Sequence, residues 1–364
     1  MPATPAAPAS AAAPASVAAA PQVQREALAR GVYELAFSPR QNAVFVASSG
    51  GFGADSDPGK ILRLDPQTLA VQAEIVLDRK AFGINIDDAA DRLYVGNTVD
   101  TSVTVVDIAN NRQVGIVQLQ EKTTGEDGKS RYTHDLRELV PDPANHRLYV
   151  SGHGEKSVLF VVDTQKLEVV NTIEGLGGPK APGLAFDADN NRVYASNLQG
   201  ELLTIDPVKG DVVQRVKTSA EQPMNIVVDR AAKRLYVTDQ GASLIRDYQI
   251  KSLPGFESKH PGNRVVVFEA DSGKEVASIE TDEGPLGLLL DAPRKRLYVT
   301  NREAGTVTVF DSESHARLHT IEVPDHPNSL ALDAANNVLY VTIKNGDKAE
   351  KTANESVARI ALPD

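Results

Sequence analysis

Seven times along the chain an apolar run ends in Asp or Ser, a short polar turn follows, and an aromatic residue stands seven positions after that turn opener. The pairs are Ser38/Phe45, Asp87/Tyr94, Asp142/Tyr149, Asp187/Tyr194, Asp229/Tyr236, Asp291/Tyr298 and Asp333/Tyr340. One spacing kept through seven copies marks a repeated supersecondary unit. Such a unit decides the architecture before any single motif is weighed.

Each copy goes on to a third run, such as Val307 to Phe310 closing on Asp311, and a fourth, such as Ala316 to Val323. Alternating β-branched and aromatic residues between turn formers read as strands, and an Asp that opens a turn is expected to hydrogen-bond its own backbone two residues on. Helical periodicity is essentially missing. Four hairpin-linked strands make a meander, and meanders close radially into a propeller, so the chain is predicted to be all-β: a seven-bladed β-propeller of four-stranded blades. Its 364 residues would otherwise suggest two domains.

Closure leaves its own mark. The last unit offers Val338 to Thr342 and Val357 to Leu362 and then the chain ends, one strand short. The run Val23 to Ala29 precedes the first full unit and is predicted to complete the last blade, removing an open edge that would invite aggregation. The propeller then spans 22–364, behind a disordered Ala/Pro-rich lead-in over 1–21. Along the innermost strands, large apolar residues alternate with Gly83, Gly183, Gly287, Ala36, Ala185 and Ala331, which are read as packing devices near a crowded axis.

A formal net charge of −11 argues against generic polyanion binding by the chain as a whole. With no cysteine there are no disulfides, thiolate metal sites or thiol nucleophiles. No apolar run reaches the ~18 residues of a membrane span. The lead-in lacks a basic n-region and a compact apolar h-region, so it does not read as an intact secretory signal.

Tyr298-Val299-Thr300-Asn301 is the tetrapeptide of the YVTN β-propeller repeat family, with variants Tyr94-Val95-Gly96-Asn97 and Tyr194-Ala195-Ser196-Asn197. Over nearly all of 24–362 the chain also resembles an exported member of that family from enteric bacteria. Stretches such as Gly31-Val32-Tyr33-Glu34, Arg137-Glu138-Leu139-Val140 and His326-Pro327-Asn328-Ser329 carry the resemblance. It implies a periplasmic propeller without enzymatic activity that binds DNA, preferably single-stranded. Two departures stand out: an acidic first-blade loop, Gly51 to Asp57, and an insertion in the fifth blade from about Gln240 to Asn263.

In a four-stranded meander the second-to-third loops and the blade connections share one face. The length added in 45–65, 121–135, 236–269 and 344–355 therefore projects from that face, which is the expected functional surface. Positions that begin the inner strands should ring the channel mouth: Tyr33, Phe82, Arg137, Pro182, Met224, Leu286 and Asn328, followed by Glu34, Gly83, Glu138, Gly183, Asn225, Gly287 and Ser329. From these and the adjoining loops the candidate ligand-binding residues are Tyr33, Phe82, Asn97, Arg137, Glu138, His153, Lys156, Asn225, Asn301, Arg302, His326, Asn328 and Lys344. Aromatics there suit stacking and cations suit phosphate. The bland alternative is that the aromatics cover the channel while Arg137 pairs with Glu34 or Glu138.

Catalytic motifs are missing: no Gly-x-Ser-x-Gly, no Walker loop and no dinucleotide cradle. His315 and His319 are expected on one face of an outer strand, too far from the mouth to serve it. No catalytic residue, metal ligand or cofactor is assigned, and a monomer is expected. Two further readings stay open: an envelope protein-interaction scaffold, and a lactonase-like hydrolase with a metal at Glu34 and Glu138.

Overall fold

The structure, a computed structural model, describes residues 20–363, so most of the predicted lead-in lies outside the described residues. Seven four-stranded antiparallel sheets follow one another around the ring, as the repeat requires. Their inner strands are Val32–Ser38, Ile84–Asp87, Asp135–Asp142, Leu184–Asp187, Pro223–Asp229, Pro285–Asp291 and His326–Asp333. The predicted closure is present. Strand Gln22–Ala29 pairs antiparallel with Glu355–Ala361, from Gln22 opposite Ala361 to Ala29 opposite Glu355, as the outer strand of blade seven.

The sevenfold spacing has a local cause. In every first turn the Asp or Ser side chain accepts a hydrogen bond from the N–H three residues on, for example Ala232 to Asp229 at 2.8 Å and Gln41 to Ser38 at 2.9 Å. The fourth residue on has positive φ in every blade: Asn42, Asp91, His146, Asn191, Lys233, Lys295 and Asn337. Such a turn returns the chain at the fifth residue, which pairs with the turn opener, as Arg234 does with Asp229. The aromatic two residues later then lies on the same sheet side. In blades five and seven its hydroxyl ties blades together: Tyr236 donates to Ser312 O and Tyr340 to Pro66 O, both at 2.8 Å, across to the next blade.

Seven apolar clusters fill the seven seams rather than the blades themselves. One joins Phe45 and Ile61 of blade one to Leu93 and Val106 of blade two, and another joins Tyr340 and Val357 to Val46 and Leu62 across the closure. Each blade is therefore stabilised by its neighbours, as in other repeat arrays.

The small inner-strand residues answer to these seams, and the axis itself is open. A Cβ on Gly287 would lie 2.4 Å from Asn328 O, and one on Gly83 2.6 Å from Arg137 O, both on the adjacent inner strand. Gly287→Ala should accordingly cost about 1–3 kcal/mol of unfolding free energy through overpacking, read from urea denaturation. An unchanged midpoint would contradict this packing.

Two further elements depart from the sequence reading. The fifth-blade insertion contains a ten-residue α-helix, Ser243–Ser252. The connection between blades two and three carries a short hairpin of Thr123–Thr124 and Ser130–Arg131. His315 does not share a strand with His319: it sits in the preceding turn at φ +62°, edge-on to Tyr236.

Candidate functional site

Inner strands that begin at one face and end at the other leave an open channel along the axis. From the loop-rich face it forms a cavity of about 800 Å³, rimmed by Tyr33, Phe52, Phe82, Thr98 and Arg302. A second space of about 530 Å³ opens toward the turn face, beside Asp229 and Arg230. Asn85, Glu138, Asn225 and Leu288 border both, so they form the waist of the channel.

Among the predicted residues, Tyr33 and Phe82 meet at the rim edge to face, with centroids 4.8 Å apart. The other face of Tyr33 carries the Lys344 ammonium, 3.9 Å from the ring centroid. That ammonium also donates to Val32 O at 2.8 Å and lies 2.5 Å from Glu355 Oε2, and its burial pushes its pKa below the usual lysine value. Lys344 thus fastens the closing blade to blade one. Arg302 donates to Asn328 Oδ1 at 3.3 Å, Asn328 donates to Tyr33 O at 3.0 Å, and His326 Nδ1 lies 2.9 Å from Arg302 O.

Arg137 lines the cavity, but its donors are engaged by the protein. One terminal nitrogen donates to Pro182 O at 3.0 Å and Met224 O at 2.8 Å, and lies 3.2 Å from Glu138 Oε1. The other donates to Asn225 Oδ1 at 2.7 Å. One guanidinium therefore braces three inner strands. The anticipated pairing with Glu138 is present, while Glu34 accepts instead from Ile84 N at 2.9 Å.

Glu34 and Glu138 have part of their surface on the lumen yet are otherwise walled in by protein. Burial, then repulsion from Glu138, pushes the Glu34 carboxyl up to about 8 against the pull of Ile84 N–H and Arg137. Burial likewise raises Glu138, opposed by Arg137.

The remaining predicted residues are not gathered at the mouth. Asn97 and Asn301 are fully buried and brace their own blades, Asn97 accepting from Ser102 and Thr104 and Asn301 donating to Thr306 and Thr308. His153 is buried beside the cavity wall, and burial, then Arg137, Lys180 and His134, hold it neutral with a pKa of about 3. Lys156 is exposed on the blade-three loop, away from the lumen.

Two rim residues escaped the sequence reading. Phe52, 59% exposed, stacks on Phe82 with centroids 6.0 Å apart and planes 29° apart. The Lys80 ammonium donates to Ser49 O and Gly51 O at 3.0 and 2.6 Å and sits 5.6 Å from the Phe52 centroid. In the first-blade loop the sequence signal for this contact is Phe52 itself, one aromatic among glycines, rather than the aspartates around it.

The blade-five insertion is pinned to its own rim. Glu221 accepts from Arg246 and Ser258 and from the N–H groups of Lys259 and His260. Burial raises its pKa, but these hydrogen bonds and Arg246 outweigh that and hold it below the usual carboxylate range. The clamp is therefore complete above the unfolded-state value, ~4.3, and lost as pH falls through the lower folded-state value. Limited proteolysis should cut within 240–263 faster below about pH 4 than at neutrality, and faster at neutrality in Glu221→Ala.

Among the described residues no three His, Asp or Glu side chains gather where they could hold a metal ion.

No family model matches the chain, and the repeat assignment rests on its tetrapeptides and geometry. Curated relatives are closer. The chain is 34% identical over 313 residues to the uncharacterized protein YncE of Escherichia coli K12, covering 79% of this chain and 87% of that one. It is 32% identical over 292 residues to YncE of Salmonella typhimurium, covering 79% and 75%. The chain belongs to the YncE family. Among solved structures, Kuenenia stuttgartiensis hydrazine synthase superposes with a TM-score of 0.67 at 19% identity, covering 86% of this chain and 92% of that one. The β-propeller domain of Myceliophteria thermophila Cps50 (Swd1) does so at 0.66 and 10%, covering 93% and 100%. At such identities these matches speak for the fold alone. The mouth of this YncE-family propeller carries the trio Tyr33, Phe52 and Phe82, of which Phe52 is the exposed member.

Proposed function

We propose that this YncE-family propeller is a non-enzymatic periplasmic binding protein that takes single-stranded DNA across its loop-rich face. The observation that carries the reading is the three-ring cluster at the channel rim, with Phe52 exposed and Lys80 beside it. Unpaired bases stack on exposed aromatic faces at ~1–3 kcal/mol per base, and nearby cations meet the backbone. Lys156 and Arg302 supply further charge on this face. Arg137 does not, because its donors serve Pro182, Met224 and Asn225.

Fluorescence anisotropy of a labelled single-stranded oligonucleotide at low and raised salt tests this. Binding should weaken with salt, and Phe52→Ala should weaken it about 5–150-fold, the equivalent of one stacked base. Salt-independent binding, or affinity equal in Phe52→Ala, would sink the proposal.

A protein partner is the second reading, and one observation favours it. The insertion helix leaves Leu244 82% and Ile250 58% exposed. Isolated apolar residues are common on surfaces, however, so the aromatic rim takes precedence.

A further inference from the structure

The lumen below the aromatic rim has an uneven supply of hydrogen-bonding groups. Several of its nitrogen donors are engaged: Arg137 on two carbonyls and Asn225, Asn225 Nδ2 on Glu138, Asn85 Nδ2 on Leu139 O, and Asn328 Nδ2 on Tyr33 O. Its acceptors are not. Glu34 takes one backbone N–H on Oε2, and Glu138 is approached only on Oε1, which leaves one oxygen of each carboxyl without a donor among the described residues.

A third acceptor lies in the same wall. Gln240, only 4% exposed, lines this cavity, and its buried Oε1 meets no donor at all. A buried acceptor left unmatched costs about 1–3 kcal/mol, and such orphans call for an explanation. The hydroxyls of Tyr33 and Ser329, also in the lining, can serve either way. A ligand that brings donors meets the two unmatched carboxyl oxygens. Positive charge suits the lumen as well, since Arg137 is the one guanidinium beside the two carboxyls, with Arg302 at the rim, and aromatic rings line the mouth above.

We propose that the channel lumen is a binding site for an organic ammonium group, held by Glu34 and Glu138 beneath Tyr33 and Phe82. A cavity of about 800 Å³ takes an extended aliphatic amine with its hydration water. The apolar lining of Leu35, Leu286 and Leu288 accommodates the methylene chain.

The site is linked to protons. Glu34 meets Glu138 and Arg137 from blade three and the Ile84 N–H from blade two, with Asn85, Asn225 and Arg302 elsewhere in the same cavity lining. An ammonium adds the cation that Arg137 alone does not provide. With Glu34 titrating near 8, amine uptake at neutral pH releases a proton and tightens as pH rises.

Isothermal titration of the full chain with 1,4-diaminobutane, with 1,4-butanediol as uncharged control and about 0.15 M salt to suppress surface counter-ion binding, tests this without nucleic acid. The expected result is saturable binding of the diamine and none of the diol. Affinity should fall roughly tenfold or more from about pH 8.5 to pH 6, and by a similar factor in Glu34→Gln at the higher pH. The wild-type pH series stands by itself if the variant folds poorly. No diamine binding at millimolar concentration, equal binding of the diol, affinity indifferent to pH, or a response to calcium alone would each overturn the proposal.

Discussion

A chain shortened to begin at Gly31 will lose about 3 kcal/mol or more of unfolding free energy and will associate in a concentration-dependent way. The closing strand contributes seven registered pairs with Glu355–Ala361, and even ~0.5 kcal/mol of net hydrogen bonding per pair gives the lower figure. Its own burial is slight, with Ala29 the one fully buried residue of Gln22–Ala29. The loss is thus a loss of edge pairing rather than of core. The strand also reaches sideways: Gln24 donates to Thr68 O in blade one, and Arg25 to Pro324 O in the connection into blade seven. Removing it bares the backbone of Glu355–Ala361, whose Val357, Ala358 and Ile360 are fully buried at the seams. An unprotected edge next to a hydrophobic seam is a template for pairing with another copy. Urea denaturation and size-exclusion chromatography with light scattering should show a lower midpoint and oligomers that grow with concentration. A monomer of unchanged stability would mean that the ring is closed by the seams alone.

That closure was legible because a propeller's strand count is arithmetic: a last blade one strand short and one unassigned strand at the other end fit each other. The turn was legible for a similar reason. Its Asp, its positive-φ residue and its aromatic are local in sequence, and the same backbone solution is reached seven times. Even so, the N–H from which the Asp accepts lies three residues on rather than two, and the value of the tyrosine hydroxyl lies in the next blade, at Ser312 or Pro66, which no local pattern reveals.

The site was harder to read because its residues meet only through ring closure. Arg137 looked like a free cation at the mouth. Whether it serves a ligand or the fold depends on Pro182 and Met224, 45 and 87 residues further along, whose carbonyls point at it. Asn97 and Asn301 looked like rim residues by position, and their burial follows from the hydroxyl pairs they bind on the neighbouring strand. The insertion helix gave little warning for another reason. At ten residues, without a capping side chain at Ala242, it falls short of the ~12–15 residues an isolated helix needs. Gln249 and Arg246 hold it through tertiary bonds to Leu198 O, Glu221 O and the Glu221 carboxylate.

These tertiary bonds hang from one ion pair, and Arg264→Met is expected to cost roughly 3–5 kcal/mol, the usual penalty for stranding one partner of a buried pair. Arg264 Nε lies 3.0 Å from Asp239 Oδ2, with side-chain exposures of 6% and 0%. The pair joins the residue just before the insertion to the residue just after it, so it clamps the base of the loop. Asp239 also accepts from Glu221 N and Gln222 N, at 3.1 and 2.9 Å, while Arg264 donates to Ser219 O at 2.8 Å. Without the guanidinium a carboxylate stays buried with two amide donors and no counter-charge, and Glu221, whose side chain pins Arg246 and Ser258, loses its footing. Adding Asp239→Asn should recover part of the loss, because the amide oxygen still accepts from both N–H groups while the unpaired charge disappears. Urea denaturation of the single and double variants, with proteolysis within 240–263 followed in parallel, separates the two effects. If Arg264→Met stays within about 1 kcal/mol of the parent, water must reach Asp239 and the insertion is held by Glu221 alone.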